Sequence, residues 1–289
     1  LSGIRIECRA KINLYLRIVD RREDGYHDIE TVFHSIALHD TLYMERVSSG
    51  IQVECDDDRV PLNDSNTAYR AARAVLGEAV GGVKIRIEKR VPVGAGLGGG
   101  SADAAGALVG ANLLFDLGLT VADLERIGRT VGADVAFLIR GGCATGLGRG
   151  DRLEPLRPLP PLPLLLVIPP LTISTSWAYG SYRMGLTTGE SRLTMVKCAL
   201  EKGDQAALAG LLANDFERLV FERHPSVEGL KAALIECGAE GALMTGSGPV
   251  VFGVFEKVGD AEACRGRLLS EGHRAEVSRL ADCGVTVTL

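Results

Sequence analysis

Apolar residues recur along the chain with two different periods, and the switches between them outline its elements. Alternation of period two runs through Ile4 to Cys8 and Leu14 to Ile18, with a turn signal at Arg22-Glu23-Asp24-Gly25, so the first 60 residues read as β-rich. Asn63-Asp64-Ser65-Asn66 offers a helix cap, and Thr67 to Leu76 carries helical spacing. Val83 to Ile87 alternates again as a strand. Ala104, Ala105, Leu108, Val109 and Leu113 then recur at helical intervals, with Gly106 and Gly110 leaving room for a close neighbour. A further helix is expected over Val121 to Val131, stopped by Gly132, with Asp134 an isolated acid just beyond.

The proline and leucine cluster from Pro155 to Pro163 breaks this order and marks the best domain boundary, dividing the chain into residues 1–157 and 158–289. After it come a buried strand at Leu164 to Ile168, one helix over 191–214 and another over Ser226 to Cys237. A strand at Val250 to Phe255 follows the turn Thr245-Gly246-Ser247-Gly248-Pro249, and a last strand covers Val285 to Leu289. Helices alternating with strands in this half suit an α+β domain with antiparallel strands and helices on one face.

The densest chemical signal lies between the first sheet-like region and its long helix. Five glycines fall in the seven positions from Gly94 to Gly100, after Pro92 and before Ser101-Ala102-Asp103. Glycine permits positive φ and close approach, so successive N–H groups can converge on one anion at a helix N-terminus, with Ser101 the expected cap. A Walker loop is excluded because no lysine occurs between Arg90 and the end of the helix. A dinucleotide fingerprint is formally met by Gly94, Gly96 and Gly99. It lacks the second strand that should end in an acidic residue, since Asp116 has the spacing but follows the helix directly. That fold and a glycine turn without a ligand are the alternatives to a phosphate cradle that the pattern leaves.

Composition narrows the classes. A chain of 289 residues with 46% hydrophobic and 24% charged positions forms a substantial globular core. The net charge of −5, with basic residues scattered among acids, argues against a nucleic-acid partner. The apolar stretch Leu159 to Leu171 is too short and too rich in proline to span a membrane. The seven cysteines Cys8, Cys55, Cys143, Cys198, Cys237, Cys264 and Cys283 show neither a disulfide framework nor zinc spacing, so reduced thiols are expected. The first residues lack the succession of a signal peptide, Leu1 is no initiator, and the cytoplasm is the expected compartment.

Three segments in order, Ala10-Lys11-Ile12-Asn13-Leu14, the run Pro92 to Ala105, and Thr245 to Pro249, resemble the motifs of the GHMP kinases, a family of small-molecule kinases. The resemblance spans nearly the whole chain. It implies an α+β two-domain fold, with an N-terminal ribosomal-protein-S5-like domain that binds ATP and a C-terminal ferredoxin-like α/β domain. It also implies ATP with Mg²⁺ as cosubstrate, Lys11 and Asp134 as catalytic residues, and a nucleotide site built from Asn66, Pro92, Gly94, Gly96, Leu97, Gly98, Gly99, Gly100, Ser101, Ala102 and Asp103. Asn66 is equally well explained as a helix cap. The chemistry is consistent: phosphoryl transfer needs alignment, charge stabilisation and an acceptor for the hydroxyl proton, and a lysine and an aspartate supply the last two. No protein metal ligand is implied beyond contact from Ser101, because Mg²⁺ is held largely by phosphate and water.

Within the family, Asp24-Gly25-Tyr26-His27 together with Gly132-Ala133-Asp134-Val135 resembles members that phosphorylate the 2-hydroxyl of a cytidine diphosphate derivative of a sugar alcohol in isoprenoid precursor synthesis. That implies Asn13, Tyr26, His27, Thr175 and Tyr179 as substrate-binding residues, with Tyr26 and Tyr179 on the two faces of a cytosine ring. Taken singly, each aromatic serves a core as well as a ligand, and His27 alone reads as structural. Homoserine or mevalonate kinases and a catalytically silent nucleotide sensor are the rival readings; the first lacks a reason for Tyr26-His27, and the second for Lys11 with Asp134. A monomer or weak homodimer is expected.

Overall fold

The computed structural model describes residues 3–77, 81–183 and 190–288. Two long strands, β1 (Gly3–Arg21) and β2 (His27–Val47), form an antiparallel pair through the predicted Arg22–Gly25 turn. β3 (Ile51–Cys55), α1 (Thr67–Leu76) and β4 (Gly82–Glu88) follow, then α2 (Gly99–Phe115), α3 (Val121–Val131) and α4 (Val135–Arg140). β5 (Cys143–Gly148) and β6 (Arg152–Leu156) complete the N-terminal half. The C-terminal half contains β7 (Pro163–Ile168), α5 (Thr175–Ser181), α6 (Leu193–Lys202), α7 (Gln205–Leu211) and β8 (Ala213–Asn214). It continues with α8 (Phe216–Arg223), α9 (Pro225–Glu236), β9 (Gly241–Met244), β10 (Val251–Val254), α10 (Val258–Ser270), β11 (Arg274–Ala281) and β12 (Val285–Thr288). Leu289, the end of the predicted last strand, lies outside the described residues.

The strands join in the order β12-β1-β2-β11-β7-β10-β9. β11 links the halves, pairing Arg274 to Arg279 with β7 and then Leu280 and Ala281 with Ile36 and Ser35 of β2. β12 returns to pair with β1. The apolar run of β7 splits by strand period: Leu164, Leu166 and Ile168 enter a central core with Ile12 and Phe252, while Leu165 and Val167 enter a C-terminal core with Phe216 and Leu230. Both faces are therefore buried, which is why this strand shows no polar alternation.

α2 lies over β1 and β2 at close range. A Cβ on Gly106 would collide with the Cys8 sulfur and one on Gly110 with Met44 and Ile6, so the two glycines leave the room that the sequence predicts for a close neighbour. Two expectations are corrected. The helix predicted over 191–214 is two helices, because Gly203 adopts φ 65° and Asp204 caps a new start by accepting from Ala207 N. Ser101 is not the cap of α2. Gly98, in the left-handed region at φ 73°, begins the helix earlier and has no side chain to cap it.

Candidate active site

The first-turn amides of α2 open onto a cavity of about 1060 Å³ that lies between the halves of the chain. Register shifts interrupt the β1–β2 pairing between Arg9 and Lys11 and again between Asn13 and Tyr15, re-aiming the side chains of this stretch. Lys11 and Asn13 both line the cavity although nearly buried, at 4% and 1% exposure. The Lys11 ammonium donates to Asn13 Oδ1 at 2.8 Å and stands 3.5 Å from Asp134 Oδ2. Asp134 occupies the N-cap position of α4 yet makes no capping bond with its side chain, so its carboxylate faces the lysine. Beneath the ammonium lies the Phe33 ring, itself stacked on Phe137 of α4.

The glycine turn is laid directly on this pair. Lys11 N donates to Leu97 O at 3.0 Å, and a Cβ on Gly98 would stand 3.2 Å from the Lys11 side chain. The turn also meets Thr245 to Gly248 backbone to backbone: Gly96 has φ 78°, and a Cβ there would strike the Thr245 carbonyl oxygen. Asn214 holds that second turn by donating from Nδ2 to Met244 O and Gly246 O at 2.6 and 2.8 Å.

Behind the turn sits a buried ion cluster. The Lys89 ammonium contacts Asp40 Oδ2 and lies 2.9 Å from Asp103 Oδ2, while Asp40 Oδ1 accepts from the Arg90 and Val91 amides. The cluster thereby ties the strand leading into the glycine turn to the helix leading out. Burial works against the Lys89 charge, but the Asp103 and Asp40 carboxylates outweigh it and raise Lys89 above the ordinary lysine range. Burial pushes the Asp103 carboxyl up to about 7 against the pull of Lys89.

At the other end of the cavity, Tyr179 on α5 packs against His27 at 5.3 Å and edge-on against Phe216 at 4.8 Å. Tyr26 projects more than half exposed under the Arg149 guanidinium, 4.8 Å from its ring centre. Burial, with the Asp134 charge behind it, raises the Tyr179 phenol above its usual range, so it stays protonated at neutral pH. Burial and then the Arg21 charge lower the His27 imidazole, whose Nδ1 is buried without a partner. Thr175 Oγ1 bonds Ser247 Oγ at 3.1 Å, joining α5 to the second glycine turn.

The cavity thus gathers Lys11, Asn13, Tyr26, His27, Asp134, Thr175 and Tyr179 together with Asn66, Pro92, the glycines at 94, 96 and 98–100, Ser101 and Asp103. Leu97 and Ala102, predicted beside them, turn their side chains into the central and N-terminal cores and present only backbone to the turn. Asn66 caps α1, accepting from Ala68 N and Tyr69 N and donating to Pro61 O.

The sequence profile of the GHMP kinases N terminal domain matches residues 66–142, and that of the GHMP kinases C terminal region matches residues 197–274. The chain belongs to the GHMP kinase family. It is 44% identical over 278 residues to the 4-diphosphocytidyl-2-C-methyl-D-erythritol kinase of Synechococcus sp. (strain JA-3-3Ab), covering 93% of this chain and 90% of that one. With the protein of the same name from Moorella thermoacetica it shares 44% over 274 residues, covering 92% and 93%. The crystal structure of a 4-(cytidine 5'-diphospho)-2C-methyl-D-erythritol kinase superposes with a TM-score of 0.80 at 35% identity, over 96% of this chain and 99% of that one. Homoserine kinase from Cytophaga hutchinsonii shares the fold, with a TM-score of 0.77 at 20% identity over 100% of this chain and 98% of that one. The two-domain GHMP kinase fold expected from the motifs is therefore the fold observed.

Several residues of this GHMP kinase site carried no local signal. Lys89 stands just before Arg90, ahead of the glycine turn, and its partners are 14 and 49 residues away. Arg149 follows an ordinary β-strand. Thr31 and Asn214 are single polar residues that a chain of this size contains by the dozen.

Proposed function

We propose that the chain transfers the γ-phosphoryl group of ATP to the 2-hydroxyl of 4-diphosphocytidyl-2-C-methyl-D-erythritol. The observation that carries this reading is the Lys11 ammonium 3.5 Å from the Asp134 carboxylate, in one cavity with the uncapped start of α2 and with Tyr26, His27 and Tyr179. An anion and an aromatic base can occupy that cavity together, with the reacting hydroxyl between them. The names of relatives that the chain covers almost completely point to the same acceptor.

ATP phosphates fit against Gly96 to Ser101, where free helix N–H groups favour negative charge. Asp134 takes the proton of the attacking hydroxyl as the new O–P bond forms and the bond to the β-phosphate oxygen breaks. Lys11 compensates the charge that builds on the transferring oxygens. Asn13 lines the acceptor side, with its amide engaged by Lys11 and Thr31. Tyr26 and Tyr179 offer ring faces to cytosine, and the unpaired His27 Nδ1 and the Thr175 hydroxyl are polar groups for its edge and ribose.

Mg²⁺ fits this site as a companion of the nucleotide. Such a metal is held mainly by phosphate and water. The Ser101 hydroxyl and the unpartnered Asp103 Oδ1 are the protein oxygens on that side. When bound there the metal neutralises charge on the β- and γ-phosphates.

The reading makes the protein a cytoplasmic monomer or weak homodimer with small-molecule partners only. The compartment is supported by the seven free cysteines; among the described residues no helix is long and apolar enough to cross a membrane. ADP release with Mg²⁺-ATP tests the acceptor, offering 4-diphosphocytidyl-2-C-methyl-D-erythritol beside homoserine, mevalonate and galactose. Release with the cytidine compound alone is expected. Release with another acceptor overturns the assignment, and ATP binding without release favours a silent sensor.

A further inference from the structure

Thr31 of β2 is fully buried, paired with Leu16 of β1, and is not among the residues that line the cavity. Its hydroxyl nevertheless closes a hydrogen-bond chain that begins at the Lys11 ammonium. An ammonium has donors only, so Asn13 must face it with Oδ1, as it does at 2.8 Å. The amide NH₂ then points the other way, into a fully enclosed site that has to supply an acceptor. Thr31 Oγ1 accepts from Asn13 Nδ2 at 2.8 Å and gives its own hydrogen to the Tyr15 carbonyl at 2.7 Å. The carbonyl has no hydrogen to offer, so the direction of every bond in the chain is determined by its two ends.

The other half of the chain closes the network. Thr245 Oγ1 accepts from the Asn13 backbone N–H at 3.0 Å and can donate its hydrogen to Asn13 Oδ1 at 3.5 Å. Asn13 Oδ1 is thus an acceptor for both Lys11 and Thr245, and a rotated amide would present donors to both.

We propose that Thr31 is a positioning residue for phosphoryl transfer: its hydroxyl sets which way the Asn13 amide faces, and through Asn13 it holds the Lys11 ammonium beside Asp134. Without it the buried NH₂ loses its acceptor, and the amide, no longer fixed from behind, tilts away from the ammonium toward another acceptor. Lys11 then gives up its 2.8 Å anchor. The proposal rests on the reading of Lys11 and Asp134 as the reacting pair.

The test compares hydroxyl-bearing and hydroxyl-free residues twice. Thr31→Val keeps the shape and removes the hydroxyl. Thr31→Ser and Thr31→Ala differ by the hydroxyl alone once the methyl, which faces Gly146, is gone. With ATP and the cytidine acceptor, Thr31→Val is expected to lower kcat about tenfold with the ATP KM within about twofold, and Thr31→Ser to recover most of the loss. In an Asn13→Ala background Thr31→Val should have no further effect, because its route of action is gone. A kcat for Thr31→Val within about twofold of wild type overturns the proposal, as does an undiminished effect in the Asn13→Ala background.

If Thr31→Val does not melt cooperatively, the serine and alanine pair decides by the same criteria. If the wild-type chain turns over none of the acceptors, the functional reading fails and the hydrogen-bond chain is read by NMR instead. The Asn13 side-chain amide protons, assigned by their absence in Asn13→Ala, should exchange slowly in wild type and Thr31→Ser and quickly in Thr31→Val. Equal protection in all three overturns the chain itself.

Discussion

Asp134 stands where a helix cap would stand and does not cap, which leaves a carboxylate with 30% of its side-chain surface exposed facing a buried ammonium. A side chain kept out of the local backbone is available to a substrate hydroxyl. Asp134→Asn preserves the shape and removes the base, so kcat should fall by about 10²–10⁴ while ATP binding changes little. Single-turnover kinetics beside ATP titration check this, and turnover near wild type would remove Asp134 from the base role. Tyr26 is exposed, held by Arg149 on one side, and its loss leaves no core cavity. Tyr26→Ala should therefore spare the melting temperature and raise the KM for the cytidine-bearing acceptor by the equivalent of about 1–3 kcal/mol of stacking. An unchanged KM would move the base pocket elsewhere.

The elements around the site are held by backbone contacts that permit little substitution. The two glycine turns touch through Gly96 and Thr245, and each comes from a different half of the chain. Gly96→Ala adds a Cβ where φ is 78° and the Thr245 carbonyl blocks it. The turns must then separate, and the variant should lose about 1–3 kcal/mol of stability together with most of its ATP affinity. Urea melts and calorimetric titration with ATP measure the two effects, and wild-type values for both would show that the turns move independently. The start of α2 illustrates how local rules are overridden. Serine is the better cap by propensity, but a left-handed Gly98 lets the helix begin under the turn and leaves its first amides uncapped by any side chain.

Across the whole molecule the halves are joined by β11 and by the link after β6, which is fastened at a histidine. His34 is fully buried, its Nδ1 donating to Ser35 O at 2.9 Å and its Nε2 accepting from Leu159 N at 3.3 Å. Burial lowers this imidazole from about 6.5 to about 4. A base lowered on folding adds stability that is complete above its unfolded value and is lost as pH falls through the folded one. Relative to His34→Gln, the wild-type urea midpoint should thus decline as pH falls from about 6.5 to 4, which urea melts of both proteins across the range would measure. An identical pH profile in the variant would remove His34 as the source.

Much of this architecture was legible in one dimension because it depends on near neighbours. Period-two and helical spacing marked the opening strands, α1, α2 and α3, and an unbroken apolar run marked β7. Lys11, Asp134 and the substrate residues were named through their resemblance to family motifs, since spacing alone does not distinguish a site lysine from a surface one. Tertiary structure alone decided that Gly203 breaks a helix, that β12 returns to β1, and that Leu97 and Ala102 face inward. It also placed Asp40 and Asp103 on Lys89 and Thr31 on Asn13. Backbone preference and periodicity act over a few residues, so the sequence displays them directly. Bulge positions, strand register and the pairing of buried charges depend on which distant segments come to lie side by side, and only the packed chain brings them together.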